Sequence, residues 1–486
     1  MRSDFGQGLR RKEGTTVRRE QLEAILQGEL DVDLVAVELI RRATDHAKAF
    51  AGAGTLFRKP DGRVAVKVYS ANPASFRDTF ATANLRVAEI IPDDFYFDLV
   101  ARDLWGNQWR GRCHYPNVDT GPGGSVMVAD VDEAYGQLAN AIQAKGARYT
   151  FAFPHAPRLF SNDAKNAIAV NGVSISLPAG ARSLVLQPAG LGLRLSERDT
   201  RLVVQVTASE LPQGPEVAER IVRSLELLLG FPLDWYALVE ETRTGATLRI
   251  DPLPVSALLK PNRYPAVPLN RPEYLGDAAA LFARYFDSLS EGDWPNWPDP
   301  VISVRQAVSA MNAPLDVMAL GLSVAVEGLL SAEFKDLVPG DQVQVVAEAQ
   351  AAKAALEGLN ISESTKKRLR GAIDQLNSVR AVDRLRALEQ QGLISEAHRK
   401  GWHRVRNQAA HGARLDASKI DEMYRLCLVT LALLHRLIFL RIGYQERYID
   451  YARTGWPEAK MDVSLGNGLP MIGKTPGEET NVPPEA

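Results

Sequence analysis

Residues 260–274 read KPNRYPAVPLNRPEY, with four prolines in fifteen positions, and the chain changes texture across them. Proline removes a backbone donor and turns the residue before it away from helix, so this stretch suits the exit from one domain. Upstream, from Gly54, short alternating runs follow one another. TLFRKPDGRVAVKVYS (55–70) sets Pro-Asp-Gly between two of them, a hairpin signal. FYFDLVARD, NQWRGRCHY, SVMVAD, RYTFAF, AIAVNGVSISLP, SLVLQPA, LGLRLSE, RLVVQVTAS and ATLRIDPL continue the pattern. Many closely spaced short strands predict a sandwich or barrel-like β domain. One helix interrupts them, PEVAERIVRSLELLLG (215–230), where Pro215 suits a first turn and Gly230 a stop. Downstream, from Val301 to about Tyr451, every apolar pattern has helical spacing, which predicts an all-α bundle. Ser362 and Ser395 suit N-caps, and Gly412 a C-terminal stop.

The expected fold class is therefore α+β and multidomain, with a β-rich N-terminal region before a helical bundle. The boundaries read as an N-terminal helical segment over 1–50, a β-rich domain over 51–260 and a helical, Pro-rich connection over 261–300. A helical domain over 301–454 and a disordered tail over 455–486 complete the chain. Within the first segment, DVDLVAVELIRRATDHAKAF (31–50) is crowded with Val and Leu and could partly be strand. A length of 486 residues exceeds what one ordinary core accommodates.

Composition narrows the class further. A hydrophobic fraction of 45% and a charged fraction of 24% are those of a globular protein, and a net charge of −2 argues against nonspecific coating of nucleic acid. The two cysteines, Cys113 and Cys427, fall in different expected domains, so no disulfide framework is expected and a reducing cytoplasm is the expected compartment. The basic N-terminus has no apolar run behind it and does not read as a secretory signal. LCLVTLALLHRLIFL (426–440) is interrupted by His435 and Arg436 and reads as a helix buried in a core or against a second subunit, with no membrane partner.

Several tempting signals are weak. TGPGGS (120–125) lacks the Gly-Lys-Ser/Thr that holds a phosphate and reads as a turn. Cys113-His114 has no partner pair at ligand spacing, so neither a metal nor another cofactor is expected. Trp105 and Trp109 would share a strand face, packed rather than offered to bases.

The stretch HRVRNQAAHGARLD (403–416) is stronger. Between residues 363 and 414 stand twelve Lys and Arg against five Asp and Glu, in a chain whose total is −2. Such a cationic face attracts phosphates, although a solvated helix surface is the commoner source of a charge run. On a helix His403, Asn407 and His411 share one face, while Arg406 stands about 140° from His411. A site made from both requires a distorted helix end, a long reach by Arg406, or two copies of the helix meeting across a dimer axis. At the negative end of a helix stopped by Gly412, His411 is favoured as imidazolium and suits a proton donor. Arg406 would hold a phosphodiester by paired charge-assisted bonds, and Asn407 would orient His411 or a phosphate oxygen. With no carboxylate cluster in view, the matching reaction needs no metal: attack by an RNA 2′-hydroxyl on its own phosphate.

The Arg-Asn-x-x-x-His pattern, on the penultimate helix of an all-α region with Gly following, resembles the HEPN superfamily. Ala-Val-Glu-Gly-Leu-Leu on an earlier helix, with Glu327, is similar to the corresponding helix of ApeA-like HEPN proteins. The resemblance covers residues 301–451 well and the N-terminal part only by texture. It implies a metal-independent endoribonuclease with Arg406, Asn407 and His411 catalytic in a cleft between two protomers, leaving a cyclic phosphate. Glu327 would steady Arg406, with His403 beside it, and Arg399, Lys400, Arg404 and Arg414 would bind RNA. It also implies a homodimer, and a toxin or anti-phage effector whose β-rich domain senses an unidentified trigger or partner. The rivals are a non-catalytic dimerisation or adaptor protein, whose β-rich domain binds a protein or carbohydrate, and an RNA-binding protein that does not cut.

Overall fold

The computed structural model describes residues 19–461 apart from 43–47, 72–95, 115, 140–145, 164, 166, 179, 189, 210–214, 254–260, 290–295, 375–378 and 411–416. The chain divides into two units, one of residues up to 217 with 233–261, the other of 218–232 with everything from 262 onward.

The first unit opens with helix α1 (Arg19–Leu26) and strand β1 (Asp31–Arg41). The region 1–50 is thus not uniformly helical. In β1 Val32, Leu34, Val37 and Leu39 are buried, a period of two broken once by a bulge between Leu34 and Val37. That irregularity is what makes the run resemble a helix on paper. The strands β2 (Lys48–Arg58), β3 (Val64–Ser70), β4 (Phe97–Asp103), β5 (Gln108–Cys113), β6 (Asn117–Gly121) and β7 (Gly124–Leu138) follow. β7 pairs β3, β3 pairs β2, and the order continues through β1, β4 and β5 back to β7, which closes a six-stranded barrel. Its interior is filled by Val32, Leu56, Val66, Phe97, Trp109 and Met127 among others. Two glycines of β2 permit its close approach to β3: a Cβ on Gly52 would stand 1.8 Å from the Tyr69 carbonyl, and one on Gly54 2.1 Å from that of Lys67.

β7 is 15 residues long, and its length joins the barrel to the rest of one 13-stranded sheet. Ser125–Val131 pair β3, and Ala134–Leu138 pair β15 (Ala246–Ile250). From there the sheet runs through β14 (Ala237–Glu241), β8 (Ala147–Phe153), β13 (Arg201–Ala208) and β12 (Leu191–Arg198) to β11 (Ser183–Leu186). A separate hairpin joins β9 (Ala167–Val170) and β10 (Val173–Ser176). TGPGGS forms the β6–β7 hairpin turn. Trp105 lies in the β4–β5 turn rather than on the strand face of Trp109. Buried Asp103 organises that turn, accepting from the Trp105 and Asn107 backbones, the Asn107 amide and the Trp109 indole.

Helix α2 (Pro215–Leu229) is inserted between β13 and β14, yet from Ala218 it belongs to the second unit. It is buried nearly all round, and Arg223 bonds Glu219 and Glu226 of the same helix at 2.8 and 2.7 Å. The unit continues with α3 (Leu275–Ser288), α4 (Asp299–Ala310), α5 (Leu315–Glu333), α6 (Gln342–Glu357), α7 (Glu363–Asp374), α8 (Ala381–Gln390), α9 (Glu396–Ala410) and α10 (Ile420–Ile442). α5 packs on α4, α9 and α10, and α9 packs on α10. By length and composition α5 and α10 could each cross a membrane, but 78% of the apolar window of α10 is buried, as in a core helix, against 44% for α5.

The chain end differs from expectation. β16 (Arg447–Ile449) pairs β17 (Glu458–Lys460), so a small sheet stands across the expected boundary between helical domain and disordered tail. Trp456 packs edge-on against Tyr451 and Tyr264, which supplies the apolar anchorage that the Gly- and Pro-rich composition conceals.

Two histidines are buried in this unit. Burial, and next the charge of Arg436, push His398 down to about 4; burial pushes His435 down to about 4. Both values lie below the unfolded value of about 6.5. Their contribution is therefore complete above that pH and lost as pH falls from it toward 4. We expect the unfolding free energy to fall steadily over that window, by at most roughly 3 kcal/mol for each histidine, with denaturant midpoints falling alongside it and His435→Phe flattening the slope. A midpoint independent of pH there would contradict the neutral, buried assignment.

Candidate functional site

Helix α9 is started by Ser395, whose hydroxyl accepts from the His398 N–H while His398 Nδ1 accepts from the Ser395 N–H at 3.2 Å. This is a reciprocal cap with histidine in the usual place of Glu or Gln. The helix buries His398, Gly401, Trp402 and Val405, and leaves His403, Arg404, Arg406 and Asn407 exposed. Gly401 lets it meet α10 closely, since a Cβ there would stand 2.6 Å from Val429 Cγ1. Trp402 is 1% exposed and donates its indole N–H to the Ser323 carbonyl of α5 at 3.2 Å. One residue type thus fixes both the depth and the rotation of α9 on α5.

Arg406 lies over that buried indole, its guanidinium carbon 5.9 Å from the ring centroid. From there it reaches Glu327 of α5, with Nε donating to Oε2 at 2.9 Å and NH2 to Oε1 at 3.1 Å. The fork leaves NH1 without a part in the pairing, and Glu327 holds the guanidinium more firmly charged. Asn407 Nδ2 lies 3.3 Å from His403 Nδ1, one turn earlier. With the amide donating, His403 accepts at Nδ1 and keeps Nε2 for another partner. His411 and Arg414 lie outside the described residues, so the spatial relation of His411 to Arg406 does not enter this geometry.

The described residues among those expected to bind RNA, Arg399, Lys400 and Arg404, are engaged within the fold. Arg399 meets Glu389 at 2.5 Å, Lys400 meets Glu396 at 2.8 Å and Arg404 meets Glu422 at 3.1 Å. Lys400 and Arg404 remain 63% and 66% exposed, where an ion pair is worth at most about 1 kcal/mol and an arriving phosphate can compete. Arg399, at 20%, is the most enclosed of the three. Further along the basic run, Arg370 forks onto Glu357 at 2.8 and 2.7 Å, so part of the cationic excess is neutralised locally.

Two features went unread in the sequence. Trp402, four residues before Arg406, gives the arginine its platform; a tryptophan one helical turn away was the available signal. On α5, Val317, Leu320 and Val324 are 50%, 50% and 47% exposed and lead by helical spacing to Glu327. The helix is apolar on so many sides that its outward stripe cannot be told from its core face by pattern. Among the described residues no three His, Cys, Asp or Glu side chains gather as metal ligands. No family model, curated protein or solved structure matches the chain.

Proposed function

We propose that the helical unit is a HEPN-type, metal-independent endoribonuclease, and that the whole chain is a regulated cytoplasmic toxin or anti-phage effector. The observation that carries this reading is the Arg406–Glu327 fork. It orients an arginine on a buried tryptophan, exposes it beside Asn407 and His403, and leaves part of its donor set for a phosphate. In the reaction an RNA 2′-oxygen attacks the adjacent phosphorus while the bond to the 5′-oxygen breaks. The 2′-hydroxyl proton passes to a base or water, and His411 as imidazolium protonates the departing 5′-oxygen. The products are a 2′,3′-cyclic phosphate and a 5′-hydroxyl.

Cleavage of single-stranded RNA should persist in excess EDTA and cease when the nucleotide 5′ to the cut is 2′-deoxy. Cutting of the deoxy substrate would exclude 2′-hydroxyl attack.

The stripe of Val317, Leu320 and Val324, running toward Glu327, supports a homodimer that brings two such sites together. Leu320→Asp should then shift the protein to monomer in sedimentation velocity and lower cleavage in proportion. A dimer unaffected by the substitution would place the interface elsewhere. A second reading, an RNA-binding protein that holds without cutting, draws on the same fork, because a guanidinium already neutralised by Glu327 is a weaker electrostatic partner for a phosphate in the transition state. Under that reading Arg406→Ala weakens salt-sensitive RNA binding while RNA stays whole with either chain.

A further inference from the structure

The β-rich unit holds a charge arrangement that its described side chains do not neutralise. β12 and β13 are joined through Asp199 and Thr200, and their register sets Arg198 directly opposite Arg201. Residues so paired project from one face, where like charges repel. Arg198 is 5% exposed, yet its Nε and NH1 have no hydrogen-bond partner among the described residues. A guanidinium in that position has lost water without regaining acceptors, which is costly unless something else supplies them.

A third arginine comes to the same end of the sheet. Arg58 closes β2, and the guanidinium carbons of Arg58 and Arg201 stand 5.7 and 5.9 Å from the centroid of the Tyr236 ring. Tyr236 is buried just before β14 and donates its hydroxyl to the Leu26 carbonyl at 2.7 Å. Arg58 is partly satisfied by the carbonyls of Gly62 and Asp251 at 2.9 and 3.0 Å, and the Asp251 carboxylate offsets part of its charge. Neither Arg198 nor Arg201 forms an ion pair with any described residue. Burial, with Arg201 nearby, pushes Arg58 down to about 10, the direction expected of a guanidinium short of counter-charge.

We infer that Arg198, Arg201 and Arg58 form an oxyanion site that takes the phosphate group of a small molecule. Three guanidinium groups against one carboxylate leave an excess of two positive charges, which the roughly −1.5 to −2 of a phosphate monoester matches. Arginine forks also fit phosphate oxygens in pairs. The inference stands apart from the ribonuclease reading, since every residue in it belongs to the other unit.

The test is thermal denaturation and titration calorimetry of the full chain with inorganic phosphate and with pyrophosphate, against sodium chloride at matched ionic strength. The expected result is a saturable rise in melting temperature with the phosphates alone. Arg201→Met should abolish that response, and Arg201→Lys should retain part of it. Arg201 is only partly buried, so its replacement spares the fold, and an unliganded Arg201→Met chain should melt no lower than wild type once the facing repulsion is gone. Stabilisation no greater than that by chloride, or an undiminished phosphate response in Arg201→Met, would overturn the inference.

Discussion

His411→Ala is expected to lower the rate of RNA cleavage by about 10²- to 10⁴-fold, the range lost when a positioned general acid is removed. The residue follows α9 directly, one position beyond Ala410. Its proposed work is proton donation to the departing 5′-oxygen, so the loss should fall on the chemical step and leave RNA affinity largely intact. A substrate whose 5′-oxygen is replaced by sulfur leaves without needing a proton and should recover much of the rate in His411→Ala. Equal impairment on both substrates would mean that His411 acts through structure or binding. A wild-type rate on the ordinary substrate would remove it from the mechanism altogether.

The second large effect is on stability. Trp402→Ala should cost the helical unit about 3–5 kcal/mol, the range for truncating a buried aromatic side chain. Trp402 is 1% exposed, joins α9 to α5 through the Ser323 carbonyl, and underlies Arg406. Trp402→Phe keeps most of the packing and gives up the indole donor, so its cost should be nearer the ~1 kcal/mol of one hydrogen bond with some added void. Urea midpoints of the two variants would separate these contributions. A Trp402→Ala midpoint within error of wild type would mean that α5 and α9 are held together elsewhere.

The change of texture at 260–274 was enough to separate strands from helices, because proline acts through the backbone and needs no tertiary context. The hairpin closed by Pro60-Asp61-Gly62 between β2 and β3 was legible for the same reason, whereas AIAVNGVSISLP, read as one run, is two strands turning at Asn171-Gly172. Barrel closure was not. It depends on β1 finding β4 and β3 finding β7 across long connections, and on β7 pairing β3, β5 and β15 along one strand, none of which has a local signature. β1 was obscured by its bulge, and β17 by the Gly and Pro beside Trp456.

At the candidate site, the pairing of Arg406 with Glu327 was expected from resemblance, and the two side chains do meet as a fork. Helical geometry also placed His403 and Asn407 on one face, and they stand in contact. The ion pairs that occupy Arg399, Lys400 and Arg404 were harder to foresee. Two of their partners, Glu389 and Glu422, come from neighbouring helices, and a charge count along the chain treats such residues as background. Charge read in sequence order overstates a cationic face whenever the counter-charges arrive from another element.

The most direct test of the account is to induce the wild-type and Arg406→Ala chains in a bacterial host, with and without phage challenge, and resolve total RNA from each. Discrete RNA fragments with cyclic-phosphate ends are expected from the wild type and none from Arg406→Ala at equal protein level. Intact RNA from both chains under challenge, or the same fragments from both, would contradict the account.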